Sequence, residues 1–147
     1  MSRGSTHGET HDTIAAIITP PGEGGIAAVR IAGPRTLEAL SHHFTPTRDG
    51  DAPPPPFLLR LGYFKSTGGE IFDEVMAVFM PAGDSYTGLD QAEIFCHGGQ
   101  VVVRKILEEL LSEHIRAAEP GEFTRLAFES GRIDLAKAEA VADIIAA

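Results

Sequence analysis

The sequence contains one cysteine, no tryptophan and no apolar run long enough to cross a membrane. A single cysteine excludes an internal disulfide framework, which is typical of proteins in a reducing compartment. A membrane-spanning helix needs about 18 consecutive apolar residues, and the polar start MSRGSTHGETHD has no apolar signal core. We therefore expect a cytoplasmic protein that makes no contact with a membrane.

Basic residues are also scarce, since 12 Lys and Arg stand against 21 Asp and Glu, giving a net charge of −9. Affinity for nucleic acid depends on Lys and Arg side chains that displace counterions from phosphates. We therefore do not expect this chain alone to bind RNA tightly. Its 147 residues, 43% of them hydrophobic, are enough for one domain with a buried core. The polar, aperiodic segment 1–11 predicts a disordered lead, in which His7 and His11 are not metal ligands.

Apolar, β-branched segments alternate with loops through the body of the chain. Pro34 is expected to open a short helix that runs to Phe44, and Val103, Ile106 and Leu110 repeat with helical spacing. Toward the end of EIFDEVMAVFMP both strand faces become apolar, which predicts that this end is covered on both sides. Five strands are predicted, at DTIAAIIT, IAAVRIAG, FLLRLGYFK, EIFDEVMAVFMP and AEIFCHGG, with STGG as a hairpin turn. Together with three or four helices, they predict an α+β fold in which helices pack on a mixed β-sheet.

The C-terminal segment AEPGEFTRLAFESGRIDLAKAEAVADIIAA predicts two helices with a break between them. Pro120 fits a first helical turn, Glu122 lies where the helix dipole favours an anion, and Gly131 ends the helix before Asp134 begins the next. An apolar stripe runs along the second helix to the end of the chain. We therefore expect the chain to be part of a longer protein.

Three charged residues are candidates for ligand contacts. Arg30 lies on a largely apolar strand and needs an anion, which is either an internal carboxylate or the carboxylate or phosphate of a ligand. Glu93 shares a strand face with Phe95; it either accepts two N–H bonds from an amidine-like edge, such as that of a pterin, or forms a salt bridge with Arg30. Arg132 lies at the break between the last two helices and either reaches a ligand tail or is a plain surface charge.

Two other features do not make a catalytic site. PPGEGG lacks the Lys-Ser/Thr of a P-loop and precedes a strand, unlike a Rossmann fingerprint, so it is either a loop of close backbone approach or a plain turn. His97 stands before two glycines without a Ser or Cys nucleophile pattern, which favours a local structural role over catalysis.

Three stretches, in this order and spacing, resemble the N-terminal domain of the MnmE (TrmE) family of tRNA-modifying GTPases: DTIAAIITPPGEGGIAAVRIAGP, SYTGLDQAEIFCHGG and PGEFTRLAFESGRIDLAKAEAVADIIAA. The resemblance implies a module similar to the tetrahydrofolate-binding domain of aminomethyltransferases, which forms a homodimer and binds 5-formyltetrahydrofolate or a related reduced folate near the dimer interface. It implies a folate-binding and dimerisation domain over 12–133, and over 134–147 the start of a helical domain.

The family's folate contacts correspond here to Arg30, Glu93 and Arg132, the last where the family usually has Lys. Glu93 would pair with the pterin edge, and Arg30 and Arg132 suit the carboxylates of the tail. The loss of two cations would weaken binding of a polyglutamylated tail, and three further positions in all depart from the family pattern. They are Glu23 for Arg, Leu89 for Glu and Leu126 for Arg.

For the complete protein, the resemblance implies modification of the wobble uridine of certain tRNAs at C5, together with a flavoprotein partner of the MnmG (GidA) type. GTP, Mg and K would bind a GTPase domain whose GxxxxGK(S/T) motif this chain lacks, so no catalytic residue is assigned here. A module that only dimerises is the alternative, and a free-standing aminomethyltransferase-like enzyme is disfavoured by the short chain. Convergence of Arg30, Glu93 and Arg132 on an open pocket, rather than on one another, would favour folate binding.

Overall fold

Strands and helices follow one another along the described part of the chain. The computed structural model describes residues 12–20, 25–48, 53–97 and 99–146. Their elements, in chain order, are β1 (Ile14–Ile17), β2 (Ala27–Ala32), α1 (Thr36–His43), β3 (Phe44–Pro46), β4 (Arg60–Lys65), β5 (Ile71–Met80), β6 (Gln91–Cys96), α2 (Gly99–Leu111), β7 (Arg116–Ala117), α3 (Glu122–Glu129) and α4 (Leu135–Ala146).

The strands form one mixed sheet in the spatial order β3-β4-β5-β6-β2-β1-β7. Neighbouring strands run antiparallel, except for β1 and β7, which are parallel. This sheet and the helices packed on it confirm the predicted α+β class. Among the described residues, no helix combines the length and apolar character needed to cross a membrane.

The main core lies between one face of the sheet and helices α1 and α2. Side chains alternate between the two faces of a strand, so Val29, Ile94 and Val75 point to the same side from three neighbouring strands. Helix α2 buries Ile106 and Leu110 against them. The helical period read from the sequence is therefore confirmed, and each such buried side chain contributes about 1.5–3 kcal/mol relative to exposure.

The opposite face of the sheet, called the outer face below, is covered in part. Helix α3 packs Leu126 against Ile14 of β1 and Ala32 of β2, and Phe123 lies against the same small cluster. This cluster covers the β1–β2 end of the outer face. Over β4 and β5 the outer face keeps exposed apolar side chains, including Met76.

The prediction that the end of β5 is covered on both faces is confirmed for the inner face and only in part for the outer face. Val75 and Ala77 are buried in the main core, but Met76 on the outer face is 37% exposed, and Val78 and Met80 are half-buried. The sequence pattern reports that both faces are apolar, but α3 lies over β1 and β2. Apolar composition alone therefore does not show which faces are covered within one chain.

Two phenylalanines change the predicted element boundaries. Helix α1 ends at His43 because Phe44 has extended dihedrals, φ −111° and ψ 125°, and opens β3. Strand β4 begins at Arg60 rather than at Phe57, whose φ of 60° lies in the left-handed region. The sequence does not predict β3 or β7, because strands of three and two residues are too short to show alternation.

A buried histidine fastens the end of α1 to β4. The ring of His43 stacks on Phe64 with centroids 5.2 Å apart, and its Nδ1 donates to the carbonyl of Lys65 at 2.8 Å. Its Nε2 lies 3.3 Å from the carboxylate of Glu113, without hydrogen-bond geometry. The Glu113 carboxylate also accepts a bond from His42 at 3.1 Å, and this bond is the main reason why the pKa of Glu113 lies below its usual value.

Replacing Gly62 with alanine is expected to lower the free energy of unfolding by about 1–3 kcal/mol, because the added methyl group has no room. Its Cβ would overlap the carbonyl oxygen of Thr45 and lie 2.6 Å from ring atoms of Phe44, both on the neighbouring strand β3. Urea denaturation measures the loss. Gly68→Ala, whose Cβ would have only the Ser66 hydroxyl within 4 Å, at 3.8 Å, is the control, and an equal effect of both changes would contradict the packing argument.

Candidate ligand-binding site

An ion pair between neighbouring strands forms the centre of the candidate site. Arg30 of β2 and Glu93 of β6 are register partners across the sheet, and the Arg30 Nε donates to Glu93 Oε2 at 2.9 Å. Their side chains are 21% and 17% exposed, respectively. Alternation along β2 and β6 puts both groups on the outer face, so the strand register alone brings them together.

Two aromatic rings flank the guanidinium group of Arg30. Its central carbon lies 5.6 Å from the ring centroid of Tyr86 and 5.2 Å from that of Phe123, within the range of cation–π attraction. Tyr86 comes from the loop between β5 and β6, and Phe123 comes from α3. The Tyr86 hydroxyl lies 3.2 Å from the hydroxyl of Thr124, which ties the loop to α3.

A buried amide orients the carboxylate of Glu93. Gln91 Nε2 donates to Glu93 Oε2 at 3.2 Å, and the Gln91 Oε1 accepts from the backbone N–H and the hydroxyl of Thr87 at 3.1 and 3.0 Å. These contacts fix which end of the amide faces the carboxylate. Glu93 is therefore held by a cation and an amide at the same oxygen.

The contacts leave part of each charged group unused. Within the described part of the chain, Nη1 and Nη2 of Arg30 and Oε1 of Glu93 make no hydrogen bond. The free guanidinium nitrogens are donors for an anion, and the free carboxylate oxygen accepts an N–H. The centre thus combines donor, acceptor and aromatic surface, which suits a flat polar ring better than a purely apolar ligand.

Arg132 lies at a different place from the ion pair. It follows α3, and its Nη1 and Nη2 lie 3.4 and 3.5 Å from the carbonyl oxygens of Gly83 and Asp84. These carbonyls belong to the loop that carries Tyr86. The sequence left open whether Arg30, Glu93 and Arg132 converge on a pocket or on one another. Arg30 and Glu93 contact each other, and Arg132 contacts the loop beside them.

Sequence reasoning did not identify Tyr86, Gln91 or Phe123 as part of this centre. The contact of Gln91 with Glu93 could have been predicted, because Gln91 lies two residues before Glu93 on the same strand and hence on the same face. The contacts of Tyr86 and Phe123 with Arg30 could not, because they depend on how a loop and a helix cross the sheet. Only the folded chain brings these three segments together.

Two of the residues that depart from the family pattern act in packing. Leu126 is buried against Ile14 and Ala32, and Leu89 packs against the same cluster. Glu23, with the other residues of 21–24 in the PPGEGG turn, lies outside the described residues, as does the lead over 1–11. The division of the chain at 133 and 134 stays a prediction.

The ring of His97 lies at the surface beside one carboxylate. The ring is 64% exposed and lies 3.9 Å from the carboxylate of Asp73. The same carboxylate accepts the backbone N–H of His97 at 3.1 Å. Across the described residues, His, Cys, Asp and Glu side chains form no group of three suited to a metal ion.

A second carboxylate holds the helix that covers the site. Glu122, the first residue of α3, is 5% exposed and accepts bonds from both Nη atoms of Arg116 on β7, at 3.1 and 2.7 Å. It also accepts the backbone N–H of Glu119 at 2.8 Å. The bond from Arg116, more than any other contact, holds the pKa of Glu122 below its usual value, and Glu122 in turn raises the pKa of Arg116. Glu122 therefore also binds Arg116 and so connects α3 to strand β7 of the sheet, in addition to the helix-dipole role predicted for it.

Replacing Glu122 with glutamine is expected to lower the free energy of unfolding at about pH 7 by about 1–3 kcal/mol, because charged hydrogen bonds are lost. The pKa of Glu122 is lower in the folded state than its usual value of 4.5, so the unfolded state binds more protons between the two values. The contribution of Glu122 is therefore complete above pH 4.5 and is lost as the pH falls through the folded pKa. Urea denaturation across this range measures it.

Glu129→Gln is the control, since Glu129 is exposed and 3.8 Å from Arg125. It should change stability by less than about 1 kcal/mol. Glu113 also has a lowered pKa, so some pH dependence remains in every variant. A loss in Glu122→Gln that is the same at about pH 3 and about pH 7 would exclude the linkage.

Comparison with known proteins gives a consistent result over most of the chain. The family model described as the N-terminus of the GTP-binding protein TrmE matches residues 13–132. A tRNA modification GTPase MnmE from Carboxydothermus hydrogenoformans is 54% identical over 138 residues, which cover 92% of this chain and 30% of the relative. Proteins with the same name from Roseiflexus sp. and Lawsonia intracellularis are 52% and 46% identical over 136 residues, covering 92% of this chain and 29% and 30% of those relatives. The chain thus spans about three tenths of the length of these relatives.

Proposed function

Because the chain belongs to the family of TrmE N-terminal domains, we propose that it is the folate-binding and dimerising domain of a tRNA-modifying GTPase. The direct contact between Arg30 and Glu93 fits the dimerisation-only alternative as well, so the observation that carries the folate part is the set of donor and acceptor atoms that this half-buried pair leaves unused beside the rings of Tyr86 and Phe123. The ligand is 5-formyltetrahydrofolate or a related reduced folate. The domain binds and orients it, and the bound folate supplies the one-carbon unit.

The free atoms of the pair match the chemistry of a reduced folate. A pterin presents adjacent N–H donors along one edge, which suit the carboxylate of Glu93, and its flat ring suits the aromatic side chains beside Arg30. The 2.9 Å contact supports roles for Arg30 and Glu93 at the same end of the ligand, rather than Arg30 at the tail. Arg132, one loop away, is the remaining cation for a tail carboxylate.

Glu93→Gln and Arg30→Gln are each expected to weaken binding of 5-formyltetrahydrofolate by the 147-residue chain at least about tenfold, because a charged hydrogen bond is lost. Arg132→Gln should have a smaller effect. Isothermal titration calorimetry measures the affinities, and circular dichroism checks that each variant is folded.

Arg104→Gln is the matched control, because Arg104 is an exposed cation on α2. It should bind folate as tightly as the parent chain. Unchanged binding in Glu93→Gln would reject the proposed site. A folded, dimeric parent chain that binds no folate would instead support the alternative, a module that only dimerises.

The proposed dimerisation surface is the exposed part of the outer face over β4 and β5. Leu61 and Met76 are register partners on these strands, and Leu61, Tyr63 and Met76 are 43%, 37% and 37% exposed. Contiguous exposed apolar side chains on a sheet are typical of protein interfaces. A second copy of the chain would remove this surface from water.

Met76→Glu is expected to shift the chain from dimer to monomer, because it would place a charge in the proposed apolar interface. Light scattering at several protein concentrations measures the mass in solution. Val101→Glu is the control, since Val101 is an apolar residue on α2 that is 72% exposed. A dimer that survives Met76→Glu would rule out this surface.

The wider role of the complete protein follows the same proposal. It would modify the wobble uridine of tRNA at C5 with a flavoprotein partner of the MnmG (GidA) type in the cytoplasm. GTP, Mg and K would bind a GTPase domain outside this chain. The net charge of −9 supports a role in which most basic surface for tRNA comes from elsewhere in the assembly.

A further inference from the structure

A cavity of about 330 Å³ lies where β3 ends and β4 begins, away from the Arg30–Glu93 pair. Its wall is stabilised by Thr47, whose backbone N–H and hydroxyl both donate to the carbonyl of Leu61, at 3.0 and 3.3 Å. The lining residues are Pro46, Thr47, Arg48, Leu59, Arg60 and Leu61. The cavity thus combines two cations with an apolar wall.

One of the two cations has an unmet hydrogen-bond donor. The guanidinium carbon of Arg60 lies 5.6 Å from the ring centroid of Phe44, and this packing shields one side of the group. Its Nη1 is shut off from solvent and has no hydrogen-bond partner. A buried donor without a partner costs about 1–3 kcal/mol, and a turn of the Arg60 side chain that brings Nη1 to an anion in the cavity would remove this cost.

The second cation makes this cavity unusual in an acidic chain. Arg48 lines the same cavity, and among the described residues neither Arg48 nor Arg60 forms an ion pair. Most other arginines of the described residues are used: Arg30, Arg35, Arg116 and Arg125 each pair with a carboxylate. Two guanidinium groups without an ion pair to any described carboxylate therefore line one cavity in a chain with a net charge of −9.

We infer that this cavity binds a phosphate monoester. Guanidinium groups donate in a planar fork that matches phosphate oxygens, and two of them balance a dianion better than the single charge of a carboxylate. Leu59, which lies outside the proposed dimerisation surface, supplies an apolar wall for the organic part of such a ligand. A long polyanion such as RNA is disfavoured, because the chain as a whole is acidic.

The test is a titration of the ¹⁵N-labelled chain with inorganic phosphate and with phenyl phosphate, at constant ionic strength, followed by amide NMR shifts. We expect shifts centred on residues 46–48 and 59–61, and tighter binding of phenyl phosphate than of inorganic phosphate. Arg60→Gln should weaken both at least about tenfold through loss of a charged hydrogen bond. Arg48→Gln should act in the same direction, and it changes an exposed residue, so it keeps the test valid if Arg60→Gln is unstable.

Arg104→Gln removes the same charge at an exposed site on α2 and should leave the titration unchanged. Equal weakening by all three changes would mean a general charge effect and would overturn the assignment. Shifts that are absent from 46–48 and 59–61 would overturn it as well. Tighter, Arg60-dependent binding of a short RNA without terminal phosphates would replace the monoester with a nucleic-acid ligand. Folate affinity is measured separately at Glu93, so the two proposals fail independently.

Discussion

The two faces of the sheet are covered to different extents, and the remaining features of the molecule follow from that difference. Helices α1 and α2 bury one face, whereas α3 covers the outer face at β1 and β2. Arg30 and Glu93 lie at the boundary of the covered area, where a charge is shielded by aromatic rings but still reaches solvent. Beyond the boundary, Met76 and its neighbours stay exposed. The tie between Glu122 and Arg116 holds α3 to β7 and so sets where the boundary falls.

The strand faces and helix periods could be predicted from the sequence, but the contacts between segments far apart in the chain could not. Alternation assigned Arg30 and Glu93 to strand faces, and the period of Val103, Ile106 and Leu110 fixed α2. The contact between Arg30 and Glu93 requires β6 to lie beside β2, a pairing between residues 63 positions apart. The neighbours Tyr86 and Phe123 come from still other segments. Conversely, Phe44 follows a helical pattern but joins β3, because pairing with β4 outweighs local propensity.

Acidic side chains accept many of the hydrogen bonds and ion pairs that connect the elements of this acidic chain. Glu93, Glu113 and Glu122 each accept bonds from more than one partner, and each joins segments far apart in the sequence or an element to its neighbour. Such carboxylates hold cations in defined places, since a shielded charge is stable only with partners. Four arginines of the described residues, Arg48, Arg60, Arg104 and Arg132, form no ion pair, and two of them, Arg48 and Arg60, line the same cavity.

The borders of the sheet have a consequence for assembly. In the described part of the chain, the outermost strands are β3, with three residues, and β7, with two. Such short strands offer few unpaired N–H and C=O groups as a template for another chain. Strand-by-strand growth into a continuous intermolecular sheet is therefore disfavoured, as is the aggregation that begins with it. A pair of copies formed through the proposed dimerisation surface would therefore be closed and would not propagate.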